Sequence, residues 1–286
     1  MFSASAISKI VVQGREFYVK RDDLTHKYLS GNKYRKLYTL LQTPSEKLDT
    51  IISYGGTQSN AMLAIAAMCQ LKGWRFLYYT KPLSTIQKNN LEGNYKYALS
   101  LGMEHKEIEH ELYKEYIASL RLGLDERSFI VDQGGAVVEA KAGLEVLAKE
   151  IRQSDLGIKS IATPSGTGTT ALFLALALPE YKVYTTPCVG DKAYLVEQMQ
   201  ALHPIPKNLV ILTPDKKYHF AKVYAEHFRI YKKLLDSGIE FDLLYAPLMW
   251  KTLLEQTKEE LLYVHSGGVS GNESMLKRYE KKGFVL

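Results

Sequence analysis

From Asp49 onward the chain alternates between two rhythms of apolar residues. Short β-rich runs (TIISY, RFLYYT, SFIVDQGG, SIATPSG, KVYTTPC, NLVILTP and LLYVHSGG) are separated by longer stretches with helical spacing. The stretches NAMLAIAAMCQLKG, NNLEGNYKYALSLG, TTALFLALAL, AYLVEQMQAL and AKVYAEHFRIYKKLL read as helices. EAKAGLEVLAKEIRQS does too, with Ala142, Val146, Leu147 and Ile151 as its apolar positions. Strand–helix alternation of this kind predicts an α/β protein with mostly parallel sheets. Upstream, YLSGNKYRKLYTLL predicts a helix entered through Gly31-Asn32 and starting at Lys33. Tyr34, Leu37, Tyr38 and Leu41 form its apolar face, leaving Arg35 and Lys36 to face solvent or line a cleft.

Open α/β sheets gather ligands where strands end and helices begin. Four such junctions here combine glycine with small polar residues: GGTQSN, QGGA, SGTGTT and HSGG. SGTGTT, from Ser165 to Thr170, offers backbone N–H groups and three threonine hydroxyls at a helix N-terminus, a plausible phosphate cradle or a polar helix cap. It is neither the dinucleotide fingerprint, which needs glycine where Ala171 stands, nor the Gly-Lys-Ser/Thr nucleotide loop. GGTQSN, from Gly55 to Asn60, could hold a carboxylate for the same reasons, or use Ser59 or Asn60 as a cap alone.

Composition narrows the classes. At 286 residues, 46% hydrophobic and 24% charged, the chain is that of a globular protein with one large or two modest domains. Its net charge of +6 is dispersed, and the densest basic cluster, KRYEKKG, reads as a solvated tail helix. No nucleic-acid motif accompanies it. Cys69 and Cys188 each lie in an apolar segment, which predicts neither a disulfide framework nor a cysteine-rich metal site. MFSASAISKIVV lacks the charged start of a signal peptide, and ALFLALALP is too short to span a bilayer. A cytoplasmic protein is expected.

A phosphate cradle, a carboxylate cradle and a lysine on a tight glycine turn together match what pyridoxal phosphate (PLP) requires. That cofactor needs an amine for its Schiff base, donors for its phosphate and a clamp for the amino-acid carboxylate. A helix N-terminus disfavours the ammonium form of Lys33, which helps its amine attack an aldehyde.

VKRDDLTHKYLSGNKYRKL and ISYGGTQSNAMLAIAA resemble the two signature segments of the 1-aminocyclopropane-1-carboxylate (ACC) deaminase and D-cysteine desulfhydrase family. That family belongs to the tryptophan-synthase-β-like PLP enzymes, fold type II. The resemblance is strong from about Val19 to Gly73, moderate in DQGGAVVEAKAGLEVLAKEI and SGTGTTALFLAL, and weak after about Asp191. It implies two α/β domains, a small one over 42–138 and a large PLP-binding one combining 1–41 with 139–286. It also implies that Lys33 holds PLP and then moves protons as the catalytic base. Asn60 would hydrogen-bond the cofactor's phenolic oxygen. Gln58, Ser59 and Asn60 would hold the substrate, with Ser59 also catalytic. Ser165, Gly166, Thr167, Gly168, Thr169 and Thr170 would bind the phosphate, and Ser266 would lie near the pyridine nitrogen.

Several positions depart from the family's pattern. Its segment Asp-Pro-Val-Tyr, then Thr or Glu, then Gly-Lys, is matched here to YAPLMWK, with Pro247 and Lys251 aligned and one residue missing. That alignment places Met249 at the tyrosine and leaves no acid for the pyridine nitrogen. Gln133 replaces an acidic residue before the paired glycines, and Tyr218 stands as the candidate for a further catalytic tyrosine. Without an acid at its nitrogen the ring is a weaker electron sink, which favours α,β-elimination over opening of a cyclopropane. The expected activity is a PLP-dependent lyase or deaminase of a small amino acid, D-cysteine-desulfhydrase-like or ACC-deaminase-like, in a homodimer without a metal. A catalytically degenerate PLP-binding relative, a cysteine-synthase-like β-replacement enzyme, and an unrelated α/β binding protein whose loops are only caps are the alternatives.

Overall fold

The computed structural model describes residues 4–89, 91–135 and 137–286. Its strands are β1 (Ile7–Val12), β2 (Arg15–Lys20), β3 (Thr50–Tyr54), β4 (Arg75–Thr80), β5 (Met103–Glu107), β6 (Ser128–Val131), β7 (Ser160–Ala162), β8 (Lys182–Thr185), β9 (Leu209–Ile211) and β10 (Leu262–Val264). The helices are α1 (Gly31–Lys36), α2 (Tyr38–Gln42), α3 (Asn60–Lys72), α4 (Thr85–Asn89), α5 (Gly93–Ser100), α6 (Tyr113–Ser119), α7 (Ala140–Gln153), α8 (Thr169–Ala177), α9 (Lys192–Gln200), α10 (Ala225–Asp236), α11 (Ala246–Gln256) and α12 (Asn272–Glu280).

Two sheets carry the fold. One is four-stranded and parallel throughout, in the order β5-β4-β3-β6, with Ile51 of β3 between Phe76 and Phe129. The other runs β1-β2-β10-β7-β8-β9 and is parallel except for the β1–β2 hairpin at its edge. Parallel strands buried on both faces need continuous apolar runs rather than alternation, and Thr50–Ser53 and Ser160–Ala162 are buried without a break. The helix α3 is buried from Ala61 to Cys69 on every side, as expected of a helix apolar all round. It is capped by the Ser59 hydroxyl accepting from Met62 N–H, and Gly73, at φ 72°, ends it.

The structure revises parts of the sequence reading. The helix predicted from Lys33 to Leu41 begins at Gly31 and breaks at Leu37, giving α1 and α2. Arg35 neither faces solvent nor lines the cleft: it is buried against Asp22 and Glu150. Lys36 does line the cleft, but buried. On α7 the buried stripe is Ala140, Gly143, Leu144, Leu147, Ala148 and Ile151; Ala142 is exposed and Val146 half-buried. Within NNLEGNYKYALSLG, Asn89 closes α4 and a separate helix, α5, runs from Gly93 to Ser100; the helix expected from Ala221 starts at Ala225, because Ala221 itself has φ 58°. Asn90 and the alanine of QGGA lie outside the described residues. The basic tail is helical, as α12, but it buries Met275 and Tyr279 and turns Lys277, Arg278 and Lys281 toward the cleft.

Candidate active site

The glycine-rich junctions converge on one cleft of about 690 Å³. Lys33, Gln58, Ser59, Asn60, Ser266 and the whole Ser165–Thr170 turn line it. Each comes from the C-terminal end of a strand or the first turn of a helix, the place where an open α/β sheet leaves backbone N–H groups free.

Lys33 stands in the first turn of α1, pressed against the turn that follows β10. Gly31, at φ 63°, makes this approach possible: a Cβ there would sit 2.0 Å from the Ser266 carbonyl oxygen. The same carbonyl accepts from Asn32 N–H at 3.2 Å, so the Lys33 and Ser266 segments are tied together. The Lys33 Nζ donates to Asn32 Oδ1 at 3.0 Å. Burial pushes its pKa down to about 8, partly opposed by the Asp242 carboxylate. A substantial fraction of this amine is therefore neutral and nucleophilic near physiological pH.

Three residues on, Lys36 shares the face of α1 that meets the cleft. It is buried and donates to the Gly134 carbonyl at 3.0 Å. Among the described residues no carboxylate offsets its charge; burial and the neighbouring Lys33 both hold its pKa well below the ordinary lysine value. The sequence expectation for Lys36 went no further than facing solvent or lining a cleft, although its i, i+3 relation to Lys33 placed the two amines on one face.

The Ser165–Thr170 turn lies at the start of α8. Gly168, at φ 78°, occupies the left-handed N-cap position, where a Cβ would also meet Met199. The Ser165 hydroxyl is within 2.6 Å of Thr185 Oγ1, and those of Thr167 and Thr169 lie 3.0 Å apart. The Thr170 hydroxyl is buried and has no hydrogen-bond partner among the described residues. Buried polar atoms are nearly always paired. An orphaned hydroxyl and an uncompensated ammonium on one cleft, beside open N–H groups, fit a multiply charged anion such as a phosphate.

In GGTQSN the residues divide. Asn60 opens α3, and its Oδ1 accepts from Asn94 Nδ2 at 2.7 Å. The Ser59 hydroxyl caps the helix while facing the cleft. Gln58, expected to bind substrate, has its side-chain amide engaged: Nε2 donates to Glu92 O at 3.1 Å and Oε1 accepts from Asn94 N–H at 3.1 Å. Its side chain ties α3 to α5, which leaves the backbone of this loop as the donor surface.

The structure does not bring Tyr218 to the cleft. Its ring packs with Cys188 and Leu248, stacks on His227 at 4.7 Å, and buries its hydroxyl. Met249 and Trp250, taken as replacements in the Asp-Pro-Val-Tyr segment, lie in the core with no exposure. Tyr95, Tyr194 and Tyr245 do line the cleft, and Tyr245 lies beside Gly166 of the Ser165–Thr170 turn. Asp242-Leu243-Leu244-Tyr245 matches that segment at its first and fourth positions without a gap, a signal the gapped alignment overlooked. The next position, Thr or Glu in the family, is then Ala246, which is fully buried. The buried Asp242 caps the turn, accepting from Leu244 and Tyr245 N–H at 3.0 and 2.6 Å, and the Ser266 hydroxyl lies 3.4 Å from its other oxygen.

Cys69 and Cys188 are free and buried. Among the described residues no helix is long and apolar enough to cross a membrane, and no acidic, histidine or cysteine cluster could hold a metal ion.

No family model matches the chain. The D-cysteine desulfhydrase of Serratia proteamaculans is 27% identical over 290 residues, covering 89% of this chain and 87% of its own. A bifunctional D-cysteine desulfhydrase/ACC deaminase of Arabidopsis thaliana is 26% identical over 294 residues, covering 90% of this chain and 73% of its own. Among solved structures, an ACC deaminase homologue superimposes with a TM-score of 0.74 at 23% identity, over 96% of this chain and 94% of that one. The chain is a homologue of the ACC deaminase and D-cysteine desulfhydrase proteins, built on the same fold.

Proposed function

We propose that this protein is a PLP-dependent lyase or deaminase acting on a small amino acid. The observation that carries the reading is the pair of buried amines, Lys33 and Lys36, on the cleft that also holds the Ser165–Thr170 turn. Lys33 Nζ would hold the cofactor covalently. Lys36 Nζ, the orphaned Thr170 hydroxyl and the N–H groups at the start of α8 would receive its phosphate. Asn60 would donate to the phenolic oxygen, and the Ser266 hydroxyl would face the pyridine nitrogen. When bound, PLP withdraws electrons from the substrate Cα.

This chain's residues would do the rest. The N–H groups of the GGTQSN loop and the Ser59 hydroxyl hold the substrate carboxylate, which fixes the bond at Cα that breaks. Lys33 Nζ would take the Cα proton, and the Tyr245 hydroxyl, beside Gly166, is a candidate for a second proton carrier. Ala246 offers no acid to the pyridine nitrogen, so elimination in the manner of D-cysteine desulfhydrase is favoured over ring opening of ACC.

The same reading keeps residues 42–138 as a small domain and 1–41 with 139–286 as a large one, since each sheet draws its strands from one of these parts. A homodimer in the cytoplasm completes it.

The test is purified protein supplied with PLP. A visible absorbance band that borohydride bleaches while fixing the cofactor to the protein, together with pyruvate release from one member of a panel of D- and L-amino acids, supports the reading; 2-oxobutyrate from ACC would redirect it to ring opening. A band without turnover of any panel member would favour a degenerate binder. No band, or a band that survives Lys33→Ala, overturns it.

A further inference from the structure

Asn94, at the start of α5, has no exposed surface and is not among the residues lining the cleft, yet each end of its side-chain amide is used. Its Nδ2 donates to the backbone carbonyl of Gln58 at 3.1 Å and to Asn60 Oδ1 at 2.7 Å; its Oδ1 accepts from Ser270 Oγ at 2.9 Å. These bonds have a direction. A backbone carbonyl only accepts, so the Asn94 atom facing Gln58 O must be the nitrogen. That same nitrogen faces Asn60, so the Asn60 atom it meets must be the oxygen. The Asn60 amide nitrogen is thereby turned the other way, toward the Ser266–Gly268 turn: a Cβ on Gly268 would meet Asn60 Nδ2 at 2.4 Å and Oδ1 only at 3.5 Å.

We infer that Asn94 is a positioning residue, which locks the Asn60 amide so that its N–H₂, not its oxygen, faces the cofactor's phenolic oxygen. This inference rests on the PLP reading given above. An unrestrained asparagine can present either end of its amide at nearly equal steric cost, and the wrong end would set oxygen against oxygen. The polarity is fixed by a main-chain carbonyl that no side-chain substitution can reverse, relayed through one buried amide. Gly93 permits the close approach, since a Cβ there would lie 2.4 Å from Gln58 Oε1.

The readout is the pH midpoint of the bound cofactor's visible absorbance, which follows the proton between the lysine-linked nitrogen and the phenolic oxygen. A donor on that oxygen disperses its negative charge; loss of the donor makes it hold the proton more tightly, so the midpoint rises. Asn94→Ala is expected to raise the midpoint by about one pH unit, the scale of one hydrogen bond to a charged group. Asn60→Ala should raise it similarly, and Asn94→Ala added to Asn60→Ala should add nothing, because Asn94 acts through Asn60. Ser270→Ala should leave it in place, since Gln58 O alone orients Asn94. If Asn94→Ala does not fold, Asn94→Asp keeps the shape and reverses the polarity, and its midpoint must rise at least as far. An unshifted midpoint in a loaded Asn94 variant, or a full additive shift in the double variant, overturns the inference and leaves the cofactor reading standing. Wild-type protein that shows no band removes the cofactor reading itself, and this inference with it.

Discussion

Two groups of buried cations grow from the same short stretch of α1, and their surroundings are opposite. Arg35 lies in a closed network: its guanidinium binds both oxygens of Asp22 at 2.8 and 2.9 Å and both of Glu150 at 2.7 and 2.8 Å. Lys20 adds a second cation on Glu150 at 2.8 Å, so two positive charges meet two negative ones. Lys33 and Lys36 point the other way, into the cleft, and among the described residues no carboxylate forms an ion pair with either; their bonds go to Asn32 Oδ1 and the Gly134 carbonyl. Burying a charge without a counter-charge costs several kcal/mol unless the group releases its proton. The protein satisfies that requirement at Arg35, meets it only in part at Lys33 through the more distant Asp242, and leaves it open at Lys36. Compensated cations hold the fold; uncompensated ones wait for an anion or for deprotonation.

The comparison breaks most sharply at Lys33. Lys33→Ala should lower turnover at least 10³-fold, because both the covalent link and the proton carrier are lost, on the ~10²–10⁴-fold scale of a single acid–base group alone. Steady-state product release measures it. Urea unfolding of the unloaded variant should show stability equal to or above wild type, since a buried cation only partly offset by Asp242 has been removed. A large loss of stability would place Lys33 in the structural group instead.

Arg35→Ala should do the reverse. It strands the buried Asp22 and Glu150 carboxylates, with an expected loss of about 3–5 kcal/mol in urea unfolding of the unloaded protein. The Lys36→Met variant sits between the two. Its unloaded form should be as stable as wild type or slightly more so, while the equilibrium constant for PLP should weaken roughly 10–100-fold, the worth of one charge-assisted hydrogen bond. A Lys36→Met protein that unfolds like Arg35→Ala would erase the distinction drawn here.

The difference between the groups was only half legible in the sequence. Lys33 was readable because its chemistry is local: the Gly31-Asn32 entry, the helix start and the neighbouring signature are contiguous. Arg35 was misread because its partners lie 13 and 115 residues away, a separation no local pattern encodes. The stripe on α7 was misplaced because Gly143, which does not score as apolar, packs against the Arg35 carbonyl. The β1–β2 hairpin escaped notice because its turn is Gln13-Gly14, both at positive φ, where asparagine or aspartate is the usual first residue. Tyr245 was passed over when a gap was admitted into a segment that aligns without one. Strands and helices followed from period; the charges followed from tertiary contacts that only the fold supplies.

The smallest effect tests the electrostatics of Lys33 alone. Only the neutral amine can attack an aldehyde, so the rate at which unloaded protein captures PLP should rise about tenfold per pH unit below pH 8 and level off above it, following the depressed value of about 8. An ordinary exposed lysine would not level off until about pH 10.4. Burial lowers the value and Asp242 raises it, so neutralising that carboxylate should move the midpoint further down. In Asp242→Asn the side-chain oxygen can still accept from Leu244 and Tyr245 N–H, which preserves the turn while removing the charge. A downward shift of several tenths of a unit is expected, the size of one partly screened charge interaction. Stopped-flow absorbance at a series of pH values reads both midpoints. A shift upward, or a wild-type midpoint near the ordinary lysine value, would mean that burial does not hold this amine neutral and that Lys33 belongs with the solvated lysines of the surface.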